Sequence, residues 1–201
     1  MNKKRAMLEI SSTMGSGSRE KFLALIDGPN FISRLLENGV SKETIIQELN
    51  LYRLCGQTQA IVREIIGTPL TLGIEFFCSA RHFGPTGVKF SHEEVDALLT
   101  SLRRQTTVSV HQIDIISKSS EKEKGLDVSI VTRMFDMEPV YETLVLFASD
   151  KDYAPALHSL HGRGKFILTG GFEDTHPQEL LNASYHFIDL KKLLPLILDK
   201  R

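Results

Sequence analysis

The chain has 201 residues, a formal net charge of −1, 41% hydrophobic residues and 24% charged residues. That length favours one domain that buries a full core without disulfides or a structural metal. The near-neutral charge gives no general basic footprint for nucleic acid and leaves only a local basic groove as a way to bind it. The two cysteines, Cys55 and Cys78, make no disulfide framework and read as buried free thiols in a reducing cytosol. No apolar run approaches the roughly 20 residues of a membrane span. The apolar stretch after the basic start Met1-Asn2-Lys3-Lys4-Arg5 is broken at Glu9, too early for a signal peptide. A cytoplasmic protein with no membrane partner is expected.

Residues 1–20, with their run Ser-Ser-Thr-Met-Gly-Ser-Gly-Ser, read as a flexible N-terminal arm, and residues 21–201 as the folded domain. Phe22 to Ile26 is a short apolar strand closed by Asp27-Gly28-Pro29-Asn30, a turn into a helix. Phe31, Ile32, Leu35 and Leu36 follow at helical spacing until Gly39. Ser41 is a good N-cap for further helix, and the stretch to Ile66 predicts two helices or one broken helix, ended by Gly67 and Pro69. Ile74 to Cys78 is a second strand, and residues 80–91 a loop. Ser91-His-Glu-Glu94 matches a capping box opening a helix from Glu93 to Arg103. A third strand is expected over Val108 to Ile116, then a polar stretch over Ser117 to Lys124 and a helix over Leu126 to Phe135. The apolar strand Leu144 to Phe147 runs into Ser149-Asp150-Lys151-Asp152. A helix over Tyr153 to Leu160, with Pro155 tolerated in its first turn, precedes a strand at Phe166 to Thr169. A short helix near Glu179 to Ala183, a strand at His186 to Ile188 and a closing helix within Leu190 to Leu198 complete the chain. Strands alternating with helices predict a mainly parallel sheet of five to six strands covered on both faces, a three-layer α/β/α domain.

In such a sheet, ligands bind beyond the carboxyl ends of the strands. Asp27 follows the first strand there, and Asp150 and Asp152 follow the fourth. Asp127 stands near the start of the preceding helix. Carboxylates brought together raise one another's pKa, and a divalent cation resolves the conflict, Mg²⁺ being a hard ion that one or two carboxylates can hold. Taken alone, each of these aspartates also reads as a helix cap or turn former. His158 and His161 lack partners for zinc, and His82, His92 and His111 show no pairing logic. Asn30, on the turn after Asp27, can orient a water, a carboxylate or a phosphate. Phe83 and Tyr153 read as packing residues or base stackers.

The segments Leu25-Ile-Asp-Gly-Pro-Asn30, Lys124-Gly-Leu-Asp127 and Ser149-Asp-Lys-Asp-Tyr153 together resemble the signatures of NYN domains, of the PIN-like nuclease group: IDGxN, then KGVDVxLxxD, then SGDSDFxP. Gly164-Lys-Phe-Ile167 and Phe187-Ile-Asp-Leu190 are similar to later family segments, so the resemblance spans about residues 22 to 192. It implies a PIN-like fold and a Mg²⁺- or Mn²⁺-dependent ribonuclease that hydrolyses RNA phosphodiester bonds. Asp27, Asp127, Asp150 and Asp152 would hold the metal, with Asn30 beside them. Ser149, Lys124, Arg133 and Lys151 are candidate substrate contacts. Arg133 departs from the pattern, standing where many members have a further Asp. It either puts a cation in place of a carboxylate or grips a substrate phosphate. Asp136, about one helical turn on, is offset in angle from that position, and the four remaining carboxylates are sufficient for a one-metal site and weaken the case for a two-metal one. Arg81, Lys89, Lys118, Lys122, Lys124 and Lys151 are expected near the rim, where they can follow a nucleic-acid backbone.

Arg133 and Lys151 motivate an alternative: a catalytically impaired module that binds RNA or a protein. A homo-oligomer is compatible with either reading. A haloacid-dehalogenase-type phosphatase needs Asp-x-Asp after its first strand, whereas this chain has Asp27-Gly28-Pro29-Asn30.

Overall fold

A computed structural model describes residues 20–67, 69–79, 90–113 and 124–198. The expected N-terminal arm up to residue 19, the loop over 80–89 and the polar stretch over 114–123 lie outside the described residues.

Six strands form one sheet, all neighbours parallel: β1 (Lys21–Asp27), β2 (Leu70–Ser79), β3 (Val108–Ile113), β4 (Thr143–Phe147), β5 (Phe166–Gly171) and β6 (His186–Asp189). The helices between them are α1 (Gly28–Glu37), α2 (Lys42–Glu48), α3 (Leu51–Ile66), α4 (His92–Arg103), α5 (Lys124–Asp136), α6 (Ala154–Gly162), α7 (Gln178–Asn182) and α8 (Leu190–Ile197). The expected α/β class is what the molecule adopts. The stretch from Ser41 to Ile66 is two helices, each with its own side-chain cap, Ser41 and Asn50. The Ser91–Glu94 capping box is present in full.

The period-2 alternation of β1 divides the core in two. Phe22, Ala24 and Ile26 point to one face and pack with residues of α1, α2, α3, α4 and α8. Leu23 and Leu25 point to the other and pack with Leu126, Ile130 and Met134 of α5 and Leu157 and Leu160 of α6. Two buried layers around a sheet explain why β1 and β4 read as continuous apolar runs rather than alternating ones.

Strand order is β3-β2-β1-β4-β5-β6. The direction of strand addition therefore reverses at β1, which places a topological switch point between β1 and β4. The crevice at the carboxyl ends there is the expected ligand position in an open α/β sheet.

The turn after β1 depends on Gly28. A Cβ on that residue would lie 2.5 Å from Phe76 Cζ and 2.5 Å from the Phe77 backbone oxygen on β2. The backbone leaves β1 against its neighbour strand with no room for a side chain. Gly28→Ala is expected to lower unfolding free energy by about 2–3 kcal/mol, measured by urea denaturation. An unchanged midpoint would show that the turn relaxes without cost.

Candidate active site at the end of strands β1 and β4

Alternation along β1 puts Asp27 on the same face as Leu23 and Leu25, at the last strand position. It is buried, only 5% exposed. Its Oδ1 accepts the Asn30 backbone N–H at 3.2 Å, capping α1. Asn30 in turn crosses the switch point: its Oδ1 accepts the Ser149 backbone N–H at 2.8 Å. That bond stitches the turn after β1 to the turn after β4.

Beyond β4, Asp150 caps a short 3-10 turn (Lys151–Tyr153) by accepting the Asp152 N–H at 2.9 Å. The turn delivers Tyr153 into the core, where its ring is 1% exposed. The Tyr153 hydroxyl lies 2.9 Å from Asp27 Oδ2 and 3.0 Å from Asp127 Oδ1. Asp127 arrives from the first turn of α5, next to the buried Leu126. Sequence reading treated Tyr153 as packing or a base stacker, and it is both buried and the polar centre of the group. The one available signal was its place directly after the segment Asp150-Lys151-Asp152.

The electrostatics are those of crowded carboxylates. Asp127 is held above the ordinary carboxylate range, first by burial and then by the charges of Asp150 and Asp152; the Tyr153 hydrogen bond opposes the shift. Burial and the charges of Asp27 and Asp127 push the Tyr153 phenol far up, so it keeps its proton and acts as a donor. A phenol has one proton and here meets two carboxylates. Asp127, Asp150 and Asp152 have no Lys or Arg ion-pair partner among the described residues.

The fit to a divalent ion is chemical rather than preassembled. Among the described residues no three Asp, Glu, His or Cys side chains form a ready cage. The oxygen-only donors and their mutual repulsion nevertheless suit a hard cation that keeps several of its waters.

The remaining candidates separate. Ser149 is buried beside Asp150, and Lys151 is exposed on the 3-10 turn. Lys124 opens α5, its side chain outside the described residues, as are Arg81, His82, Phe83, Lys89, Lys118 and Lys122. Arg133 binds Glu75 of β2 in a bidentate pair, Nε to Oε2 at 2.7 Å and Nη2 to Oε1 at 2.6 Å. The carboxylates acting on it are those of Glu75 and Asp136. His111, for which the sequence showed no partner, stacks on Phe77 and places Nε2 3.0 Å from Glu75 Oε2, close but without hydrogen-bond alignment. A glutamate inside the apolar run Ile74-Glu75-Phe76-Phe77 was the signal that could have exposed this cluster, since a buried charge needs a partner. Arg133→Asp would take the guanidinium away from buried Glu75 and leave only the His111 ring beside it. A loss of about 3 kcal/mol in stability is expected, read by urea denaturation; wild-type stability would show that Glu75 does not depend on Arg133.

His176 was missed altogether. It follows β5 at 8% exposure, packs against Phe187, and neither ring nitrogen has a hydrogen-bond partner among the described residues. Gly171 makes room for it: a Cβ there would lie 2.7 Å from His176 Nδ1 and 3.4 Å from Ser149 Oγ. Burial, and then the charge of Arg34, lower its pKa to about 4. The fold thus refuses a proton that the unfolded chain accepts near pH 6.5. This contribution is complete above pH 6.5, is lost as pH falls from there to about 4, and is worth about 3 kcal/mol at most. His176→Phe should flatten that limb in a pH series of denaturation midpoints; an unchanged slope would assign the acid lability to other groups.

An open α/β domain with acidic side chains gathered at its switch point is thus defined by fold and geometry together. The NYN domain model matches residues 25–191, and the chain belongs to the NYN domain family, which stands within the PIN-like nuclease group. The low amplitude and bright protein LabA of Synechococcus elongatus (strain ATCC 33912 / PCC 7942 / FACHB-805) is 32% identical over 73 residues, 36% of this chain. The match spans 39% of that relative's length. A crystal structure of a protein of unknown function, VPA0982 from Vibrio parahaemolyticus RIMD 2210633, superposes with a TM-score of 0.66 at 15% identity, covering 88% of this chain and 96% of that one. At that identity the likeness concerns the fold alone. No helix among the described residues is long and apolar enough to cross a membrane.

Proposed function

We propose that this chain is a divalent-metal-dependent ribonuclease that hydrolyses RNA phosphodiester bonds at the crevice between β1 and β4. The observation that carries the reading is the gathering of Asp27 and Asp127 on one phenol, with Asp150 and Asp152 close enough to raise Asp127. Membership of the NYN family supports it.

Asp27, Asp127, Asp150 and Asp152 would hold Mg²⁺ or Mn²⁺, directly or through water. Such an ion, when bound, supplies Lewis acidity at a phosphoryl oxygen and makes water acidic enough to attack at neutral pH. The chain's own side chains do the rest. Asp152 is exposed and can orient the attacking water. Asn30 has its amide oxygen engaged by Ser149, which leaves its NH₂ to donate to a phosphate oxygen. Lys151, also exposed, offers a point charge to a flanking phosphate.

A second reading, an RNA- or protein-binding module without cleavage, draws on Arg133. The residue in place of a family carboxylate is committed to Glu75, so the rim has one acid fewer.

Labelled single-stranded and hairpin RNA incubated with pure protein in Mn²⁺, Mg²⁺ or EDTA separates the two. Metal-dependent cleavage is expected, falling by roughly 100-fold or more in Asp150→Asn with the fold retained by circular dichroism. RNA binding that persists in EDTA with no cleavage in any ion would overturn the nuclease reading in favour of the module.

A further inference from the structure

We infer that the Tyr153 hydroxyl is a positioning group that holds Asp127 against Asp27 and thereby sets the affinity of the acidic rim for a divalent cation. The inference rests on the metal-site reading above and deepens it.

The two carboxylates are not equally anchored. Asp27 ends a strand whose residues Phe22 to Ile26 are all 0% exposed, and its Oδ1 is engaged by the Asn30 N–H. It is a fixed point. Asp127 sits on the first turn of a helix, only partly buried, and its charged neighbours Asp150 and Asp152 push against it. Among the described residues the Tyr153 hydroxyl is its hydrogen-bond donor. The same hydroxyl reaches Asp27 at 2.9 Å, so its single proton is shared between the helix carboxylate and the strand carboxylate, across 26 residues on one side and 126 on the other.

The ring alone does not explain the oxygen. A buried hydroxyl costs stability unless it is hydrogen-bonded, and this one is aimed between two carboxylates rather than at a backbone carbonyl. Groups that orient metal ligands from behind change metal affinity without touching the ion. Loss of the hydroxyl leaves Asp127 free to turn away from Asp150 and Asp152, the direction in which repulsion drives it.

The test is Mn²⁺ binding to the full chain and to Tyr153→Phe, followed by the electron paramagnetic resonance signal of free Mn²⁺, with thermal unfolding in EDTA alongside. The dissociation constant is expected to rise about tenfold or more in the variant, independently of any shift in the unfolding midpoint. A dissociation constant within twofold of wild type would overturn the inference, whatever happens to stability. The unmodified protein supplies a second readout should the variant not fold. In a Mg²⁺ titration the Tyr153 ring resonances should shift and saturate with the metal, and resonances that stay still while Mg²⁺ binds would equally overturn it. Mn²⁺ that binds with this Tyr153 dependence in a protein that cleaves no RNA would sink the nuclease reading alone.

Discussion

Everything at the candidate site follows from the reversal of strand order at β1. Because β2 lies on one side of β1 and β4 on the other, the chain must leave the two strands toward opposite faces. After β1 it enters α1, whose Phe31, Ile32 and Leu35 pack on one layer; after β4 it enters α6, whose Leu157 and Leu160 pack on the other. The backbone diverges there, which is why α/β sheets bind ligands at this place. The Asn30–Ser149 hydrogen bond spans the divergence, and the 3-10 turn after Asp150 swings Tyr153 back beneath it.

Two carboxylate groups on this face of the sheet are handled in opposite ways. Glu75 is neutralised from within, by the bidentate guanidinium of Arg133 with His111 alongside. A buried charge so paired is satisfied and available for nothing else. At the rim, Asp127, Asp150 and Asp152 have a phenol, backbone amides and each other. A protein interior does not tolerate that arrangement without raising a pKa, as happens at Asp127. Clusters with unrelieved charge in a cleft are where external chemistry is expected. On the proposed reading, this contrast makes the rim, not the Glu75 cluster, the place for a cation.

The sequence carried the fold through its periodicities: apolar runs for strands buried on both faces, 3.6-residue spacing with Ser41 and Ser91 caps for helices, and glycines for ends. It also carried the four rim aspartates, because each stands at a strand end or first helical turn, positions that a parallel topology brings to one edge. What it did not carry were pairings across elements. Tyr153 reaches Asp27 over 126 residues, and Arg133 reaches Glu75 over 58. Such contacts depend on sheet register and helix rotation, which local spacing does not encode. His176 was hidden for a related reason: a lone histidine in a polar loop gives no sign that Gly171 will leave a cavity for its ring. Arg133 was visible as a departure from a pattern, but its meaning was not, since only β2–α5 packing shows where the guanidinium goes.

The departure at Arg133 then bears on how many ions the proposed site would take. A carboxylate at that position would add to the unrelieved charge on this side of the sheet, and charge in excess of what one divalent ion neutralises is what a second ion relieves. Arg133 removes one negative charge, adds a positive one, and spends it on Glu75, an acid that would itself have needed a partner. The rim is left with four carboxylates, one of which, Asp27, is buried and engaged by Asn30 and Tyr153. Asp127 and Asp150 are partly buried and Asp152 is exposed, a set few enough for one ion that retains much of its water. On the proposed reading, an arginine that looks inactivating in the sequence lowers the negative charge on this side of the sheet and favours a one-ion site.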